Sequence, residues 1–134
     1  MQKKTIHVTD LIAPLINEDN FTRINSEYSS FAYHKPCHLN LLDKPNSTVD
    51  VLKKLDGVNL VKLSDSCCGM AGSWGMASKN YDLSVKIGSK MFDNVLDDSF
   101  DVGVTDCPTC SIQMEHLTKQ KVLNPIEVID KCIK

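Results

Sequence analysis

Residues 58–75 read VNLVKLSDSCCGMAGSWG, a segment that passes from apolar side chains to a cysteine pair and then to glycines. Its first six residues form the clearest strand pattern in the chain, because a short apolar run is bounded by turn residues. The run ends in three polar residues, which lead to the adjacent pair Cys67-Cys68 and a turn with three glycines. Helical spacing of apolar residues begins soon after this turn. The segment is therefore predicted to be the strand-to-helix junction of an α/β unit.

Strands and helices alternate on both sides of this junction. Sequence patterns predict further strands at residues 31–34, 101–105 and 121–123, and helices at about 8–16, 47–56, 79–97 and 125–132, with another helix starting at Pro108. Such alternation is typical of a mainly parallel sheet covered by helices. We predict a three-layer α/β fold with a small, Rossmann-like sheet of about four strands.

Length and composition bound the class of protein. The chain has 134 residues and a mass of 14.9 kDa, so residues 1–134 are expected to form a single domain. Lysine and arginine number 15 against 17 aspartates and glutamates, and a net charge of −2 argues against a nucleic-acid partner. No apolar run approaches the roughly 20 residues that span a bilayer, and the first residues lack the apolar core of a signal peptide. We expect a cytoplasmic protein with no transmembrane segment.

Six cysteines are the main chemical feature, and in a cytoplasmic protein they indicate metal or redox chemistry rather than disulfides. Five of them follow predicted strands directly or lie a few residues beyond: Cys37, Cys67, Cys68, Cys107 and Cys110. Parallel strands place their carboxyl ends at one edge, where open α/β folds bind ligands. We therefore expect these five thiols to meet in one crevice. Cys132 lies in the last predicted helix, outside this pattern, and is expected to be a bystander.

The chemistry of five convergent thiols favours one class of site. The helix that starts near Pro108 would favour the thiolate forms of Cys107 and Cys110 through its dipole. Five thiolates exceed the four ligands of a structural zinc ion, whereas iron–sulfur clusters are bound mainly by cysteine. The residue pattern therefore favours an iron–sulfur site, with zinc as the alternative.

Three sequence blocks resemble a known family. They are YHKPCHL at 33–39, CCGMAGS at 67–73 and TDCPTC at 105–110. Together they resemble the cysteine-rich CCG domain, which occurs in heterodisulfide reductase and in the iron–sulfur subunits of glycolate, lactate and anaerobic glycerol-3-phosphate dehydrogenases. The resemblance covers residues 31–130. The intervals between the cysteine motifs, 29 and 38 intervening residues, are slightly short and slightly long for the family.

The resemblance implies a cofactor and a role. In heterodisulfide reductase the five motif cysteines bind a noncubane [4Fe–4S] cluster, and the matching positions here are Cys37, Cys67, Cys68, Cys107 and Cys110. The implied function is an electron-transfer module of an oxidoreductase, which relays electrons between a flavoprotein and a quinone or disulfide acceptor. In a succinate dehydrogenase assembly factor of the family a similar motif holds zinc. The alternative function is therefore a zinc-binding, non-redox module for partner assembly.

The domain organisation of the family bears on partners. Its members generally carry two such domains, often after a ferredoxin-like domain, whereas this sequence has one copy and no ferredoxin motif. We therefore expect a small subunit, or a domain of a larger iron–sulfur oxidoreductase, that is not active alone. The expected partners are a flavoprotein dehydrogenase subunit and a second cysteine-rich domain. Any peripheral membrane association is expected to occur through a partner.

Two histidines flank the first motif cysteine. Since histidine titrates near neutral pH, His34 and His38 could hydrogen-bond a cluster sulfur or supply protons. They could equally be loop residues that cap backbone groups. Both interpretations are open at the level of sequence.

Overall fold

The computed structural model describes residues 6–92 and 100–134. Its α-helices are α1 (Val8–Ile12), α2 (Ser47–Lys54), α3 (Tyr81–Phe92), α4 (Pro108–Thr118) and α5 (Pro125–Asp130), and its strands are β1 (Phe31–His34), β2 (Leu60–Ser64), β3 (Val102–Thr105) and β4 (Val122–Leu123). Short 3-10 helices occupy Ala13–Leu15, Cys37–Leu41, Trp74–Met76 and Ser78–Asn80. Within the two described ranges, none of the helices has the length and apolar character that crossing a membrane requires.

The four strands form one parallel sheet in the order β2-β1-β3-β4. β1 and β3 are central, with Phe31 opposite Val102 and His34 opposite Thr105. Every residue of these two strands is buried, as expected for parallel strands that are covered on both faces. The winding direction changes between β1 and β3, which is where doubly wound α/β folds bind their ligands.

Two layers of helices cover the sheet. On one face, α1, α2 and α5 pack over a core that includes Phe31 and Tyr33. On the other face, α3 and α4 pack over a second core that includes Ala32, Met91 and Met114. The division follows from the alternation of side chains along β1, which sends neighbouring residues to opposite faces. The predicted three-layer α/β architecture with a parallel sheet is confirmed.

Some element boundaries differ from the predicted ones. The first helix is shorter than its apolar pattern, as the sequence position of Pro14 leads one to expect: proline cannot donate a backbone hydrogen bond, and the helix has five residues before the chain continues as a 3-10 turn. The last helix ends at Asp130, so Cys132 lies beyond it rather than inside it. The predicted carboxyl end of the third helix, residues 93–97, lies outside the described residues.

Candidate metal centre

The three cysteine motifs follow the carboxyl ends of three adjacent strands. Cys37 lies three residues after β1, Cys67 three residues after β2, and Cys107 two residues after β3. Because these strands are parallel neighbours, their carboxyl ends lie at one edge of the sheet, as the sequence predicted. We call this place the cysteine edge and define it by Cys37, Cys67, Cys68, Cys107 and Cys110.

Cys68 and Cys110 are in direct contact, although 42 positions separate them in the chain. Their Sγ atoms lie 3.2 Å apart, and both residues are free thiols rather than a disulfide. Both side chains are buried in the core between the sheet and the α3/α4 layer. The structure thus brings the second and third motifs together inside the protein.

The two sulfurs hold their protons unequally. The Cys110 thiol donates a hydrogen bond to the Cys68 sulfur, and this bond lowers the pKa of Cys68 to about 6 despite its burial. The same bond, together with burial, raises the pKa of Cys110. The contact therefore favours the thiolate form at Cys68 and the thiol form at Cys110. The prediction of a thiolate at Cys110 was wrong, because this thiol serves as the donor to its neighbour.

Cys107 precedes the first residue of α4 and is half-buried. Burial raises the pKa of its thiol, but hydrogen bonds with the Thr109 hydroxyl and the backbone N–H of Cys110 outweigh this effect and lower the pKa. The Cys107 Sγ lies 3.2 Å from the Thr109 Oγ1 atom. The predicted thiolate character at the start of this helix therefore agrees with the structure for Cys107.

The remaining two motif cysteines are exposed. Cys37 begins the 3-10 helix Cys37–Leu41, and the Sγ atom of Cys67 accepts a hydrogen bond of 3.4 Å from the backbone N–H of Gly69. In the described part of the chain, no three His, Cys, Asp or Glu side chains are close enough together to hold a metal ion. The structure therefore places two motif thiols in contact, Cys107 beside them, and two thiols at the surface of the same edge.

The turn after Cys68 packs closely against helix α3. Gly69 has a φ of +82°, and a Cβ atom at this position would overlap the backbone carbonyl oxygen of Ser84. A Cβ atom at Gly75 would overlap the Ser84 hydroxyl in the same way. Glycine at both positions therefore lets the turn seat itself on α3 and carry Cys68 into the core.

Three buried polar atoms at the ends of β1 and β3 have no hydrogen-bond partner among the described residues. His34 is 2% exposed, and neither of its ring nitrogens makes a hydrogen bond of normal geometry, although the Ser64 backbone lies close enough to raise its pKa. Thr105 lies opposite it on β3, is also 2% exposed, and has an unpaired hydroxyl. Sequence reasoning missed Thr105, although a hydroxyl at the end of a buried strand just before a cysteine motif was an available signal. His38, by contrast, is exposed.

These features together fit a sulfur-rich metal group. Soft thiolate ligands select zinc, copper(I) or iron–sulfur clusters over hard cations. Cys68 and Cys107 have lowered pKa values, which favours the deprotonated form that binds metals. The unpaired atoms of His34 and Thr105 are hydrogen-bonding capacity that the protein itself does not use. The residues present therefore fit an iron–sulfur cluster, and they also suit zinc.

Comparison with known proteins points to redox enzymes. The profile of a family described as Cysteine-rich domain, CCG, matches residues 31–115. A subunit of the anaerobic glycerol-3-phosphate dehydrogenase of Escherichia coli (strain K12) is 34% identical over 101 residues, which are 75% of this chain and 26% of that protein. A subunit of the dihydromethanophenazine:CoB–CoM heterodisulfide reductase of Methanosarcina barkeri is 30% identical over 113 residues, 80% of this chain and 27% of that protein.

A third relative shares a shorter segment. D-2-hydroxyglutarate dehydrogenase of Pseudomonas putida is 30% identical over 73 residues, which are 54% of this chain and 7% of that protein. The chain spans only about a quarter of the length of the two relatives described above. No solved structure matches the chain at a significant level.

Proposed function

This chain belongs to the family of cysteine-rich CCG domains, and from that premise we propose that it is an iron–sulfur electron-transfer module of an oxidoreductase. The family resemblance of the three sequence blocks is thereby confirmed. Two of its relatives are by name subunits of a dehydrogenase and of a reductase, and both names denote redox enzymes. We propose that residues 1–134 form one cysteine-rich domain.

The contact between Cys68 and Cys110 is the observation that carries the proposal. It joins two of the three motifs in a buried place at the edge where a doubly wound fold binds its ligand. The pKa values of Cys68 and Cys107 are lowered, and this favours the thiolate forms that bind metals. We propose a noncubane [4Fe–4S] cluster as the bound group, with the motif cysteines as its ligands: Cys37, Cys67, Cys68, Cys107 and Cys110.

The residues of the chain shield the site from water on its inner side and leave it accessible on its outer side. When bound, an iron–sulfur cluster supplies one-electron redox chemistry, with a potential that depends on burial and on hydrogen bonds to its sulfurs. Met70 and Met91 pack in the same core as Cys68 and Cys110 and exclude water from the inner side. Cys37 is exposed and remains available to bind from the outer side. The site is thus buried on one side and accessible to an electron-transfer partner on the other.

Exposed apolar side chains support a docking role for the cysteine edge. Leu41 is 80% exposed in the 3-10 helix that begins with Cys37, and Met76 is 53% exposed after the Cys67-Cys68 turn. Ile112, two residues after Cys110, is 49% exposed. Exposed apolar side chains that follow each of the three cysteine motifs are available for contact with another protein.

We propose that a flavoprotein dehydrogenase subunit or a second cysteine-rich domain docks at this edge. Electrons would then pass between the flavoprotein and a quinone or disulfide acceptor. In this arrangement any attachment to a membrane would come from the partner.

The test is metal loading of purified chain under anaerobic conditions. We expect uptake of iron and sulfide with visible absorbance, since iron–sulfur clusters are coloured and d¹⁰ zinc is not. The variants Cys68→Ser and Cys110→Ser should lose most of the iron, because serine offers no soft thiolate ligand. Iron, sulfide and zinc content, measured per chain, is the readout.

The matched control is Cys132→Ser, which changes an equally buried cysteine on the opposite face of the sheet. The Cys132 thiol donates to the Val128 carbonyl, a bond that a serine hydroxyl can also make. This variant should keep the metal content of the unmodified chain. Binding of zinc alone, without colour, would contradict the redox function and support the zinc-binding assembly module instead. Loss of iron in Cys132→Ser would contradict the ligand set.

A further inference from the structure

Unpaired buried polar atoms are concentrated at one place in the structure. Among the described residues, the buried side-chain atoms without a hydrogen-bond partner are Asp10 Oδ1, His34 Nδ1, His34 Nε2 and Thr105 Oγ1. Three of these four atoms thus belong to two residues that lie opposite each other on adjacent strands. A buried polar group without a partner destabilises a protein by about 1–3 kcal/mol. The neighbouring unpaired atoms of His34 and Thr105 therefore indicate a bound group that supplies hydrogen-bond partners.

Strand geometry shows which side of the sheet these groups face. Side chains two positions apart on a strand lie on the same face, and Ala32, two residues before His34, packs in the core that contains Cys68 and Cys110. His34 therefore faces that core. Thr105, its register partner on β3, faces the same side. Both residues also lie within three positions of a motif cysteine.

Ser64 on β2 is in register with His34, and its hydroxyl, unlike that of Thr105, is hydrogen-bonded. The Ser64 Oγ atom donates to the Met91 carbonyl oxygen at 3.3 Å. The row across the sheet is therefore Ser64, His34 and Thr105, and among these three side chains in the described residues only Ser64 makes a hydrogen bond of normal geometry. The unpaired groups are the two on the central strands, where the fold binds its ligand.

The His34 ring is neutral at physiological pH. Burial lowers its pKa to about 4, and a hydrogen-bonding contact with the Ser64 backbone, which falls short of normal geometry, and the Asp65 carboxylate offset this effect only in part. A neutral imidazole has one N–H donor and one acceptor nitrogen. His34 and Thr105 therefore each present one donor to the core that holds the motif thiols, without adding positive charge.

We propose that His34 and Thr105 donate hydrogen bonds to the sulfur atoms of the metal group held by Cys68 and Cys110, and that they set its affinity and reduction potential. This inference rests on the proposed function in so far as that group is an iron–sulfur cluster. Partners beyond the direct ligands commonly tune metal sites through such hydrogen bonds. His34 and Thr105 are thus positioning residues, and they are not ligands.

The first arm of the test uses the metal-free chain. Thr105→Val keeps the shape of the side chain and removes the unpaired hydroxyl, so unfolding in urea should require the same or a higher concentration than in the unmodified chain. Ser64→Ala, which removes a paired hydroxyl from the same row, should lower stability. If Thr105→Val is destabilised as much as Ser64→Ala, the hydroxyl has a structural partner and the inference is wrong.

The second arm measures the reduction potential of the iron-loaded chain. Loss of a donor disfavours the more negative, reduced state, so Thr105→Val and His34→Phe should shift the potential downwards. We expect a change of about tenfold in the equilibrium constant, which is ~59 mV for a one-electron couple. Thr105→Ser, which keeps the hydroxyl, and Ser64→Ala should stay close to the unmodified chain. Unchanged potentials in Thr105→Val would overturn the inference, whether or not His34→Phe folds.

The two proposals can fail separately. If the unmodified chain binds zinc and no iron, the electron-transfer function fails, and zinc affinity replaces the potential as the readout. Hydrogen bonds to thiolates strengthen metal binding by about 10–100-fold, so Thr105→Val should then bind zinc at least about tenfold more weakly than Thr105→Ser. Equal zinc affinities in these two variants would overturn the inference.

Discussion

At the residue scale, hydrogen bonds favour the thiolate form of Cys68 and compensate for its burial. The Cys110 thiol donates the main one, and the backbone N–H groups of Met70 and of Cys68 itself donate the others. A buried charge without such partners would normally become neutral. The Cys110 thiol in turn stays protonated because its neighbour is negative. The two sulfurs therefore act as one unit, in which the Cys110 thiol is the donor and the Cys68 sulfur is the acceptor.

Replacing Cys110 by alanine should raise the pKa of Cys68 in the metal-free chain from about 6 towards its ordinary value of 9.0, because the main donor is lost. Ultraviolet thiolate absorbance, followed against pH, is the measurement. The unmodified chain and Cys132→Ser should both show a thiolate that becomes protonated near pH 6 as the pH falls. A thiolate that still titrates near pH 6 in Cys110→Ala would show that another group stabilises it.

Gly69 and Gly72 form a matched pair for testing how the turn packs. Both have positive φ, +82° and +67°, so alanine is strained at either position. A Cβ atom at Gly69 would overlap the Ser84 carbonyl, whereas nothing lies within 4 Å of one at Gly72. We expect Gly69→Ala to lose about 1–3 kcal/mol more unfolding free energy than Gly72→Ala. Urea unfolding of the metal-free variants measures this difference, and equal losses would mean that the turn does not rest on α3.

At the scale of elements, a buried network of polar side chains holds helices α1 and α2 against the sheet. The Asp106 carboxylate, directly before Cys107, accepts hydrogen bonds from Tyr33 on β1 at 2.7 Å and from Thr48 on α2 at 3.0 Å. Thr9 of α1 lies 3.3 Å from the Thr48 hydroxyl. A helix of five residues is too short to be stable alone, so these contacts and its apolar face keep α1 in place.

Tyr33→Phe tests the strength of this network. The Tyr33 side chain is buried, and its hydroxyl donates to a carboxylate that is only 7% exposed. Its loss should lower the unfolding free energy by about 1.5–3 kcal/mol, the usual range for a hydrogen bond to a charged group. The control Tyr81→Phe removes an exposed bond to His116 and should change stability by less than about 0.5 kcal/mol. Chemical denaturation of both variants is the measurement, and equal effects would contradict the assigned role of Asp106.

At the scale of the whole molecule, the sheet separates a core without motif cysteines from a core that also contains the candidate site. The core under α1, α2 and α5 contains Cys132 but none of the motif cysteines. The core under α3 and α4 contains Cys68 and Cys110 among methionines. Methionine is adaptable and packs well around irregular groups. The second core therefore combines structural packing with the candidate site.

We expect the isolated chain to show no substrate turnover. Dehydrogenation of a hydroxy acid or a polyol needs an organic hydride carrier, which the proposed relay function assigns to a flavoprotein partner. The iron-loaded chain is mixed with lactate, glycolate or glycerol 3-phosphate and an acceptor dye, and dye reduction is followed. As a control, chain reduced chemically beforehand should pass its electrons to the dye. Substrate-dependent dye reduction by the chain alone would overturn the relay function.

Much of this molecule could be predicted from the sequence because the deciding signals are local. Short apolar runs marked the four strands, and Pro108 marked the start of α4. The alternation of strands and helices implied parallel strands, and parallel strands imply that Cys37, Cys67 and Cys107 share one edge. The three cysteine motifs also identified the family. Each of these inferences depends on neighbours within a few positions or on a general rule of connection.

Only the tertiary structure decided which groups meet and which stay unpaired. The contact between Cys68 and Cys110 depends on how α4 and the turn after β2 pack on the same face, and no local pattern encodes it. The same packing raised the pKa of Cys110, against the prediction, and left His34 and Thr105 buried without hydrogen bonds of normal geometry among the described residues. Proton positions and hydrogen-bond satisfaction are set by atoms that are distant in the chain and close in space. For that reason they emerge only when the layers have been assembled.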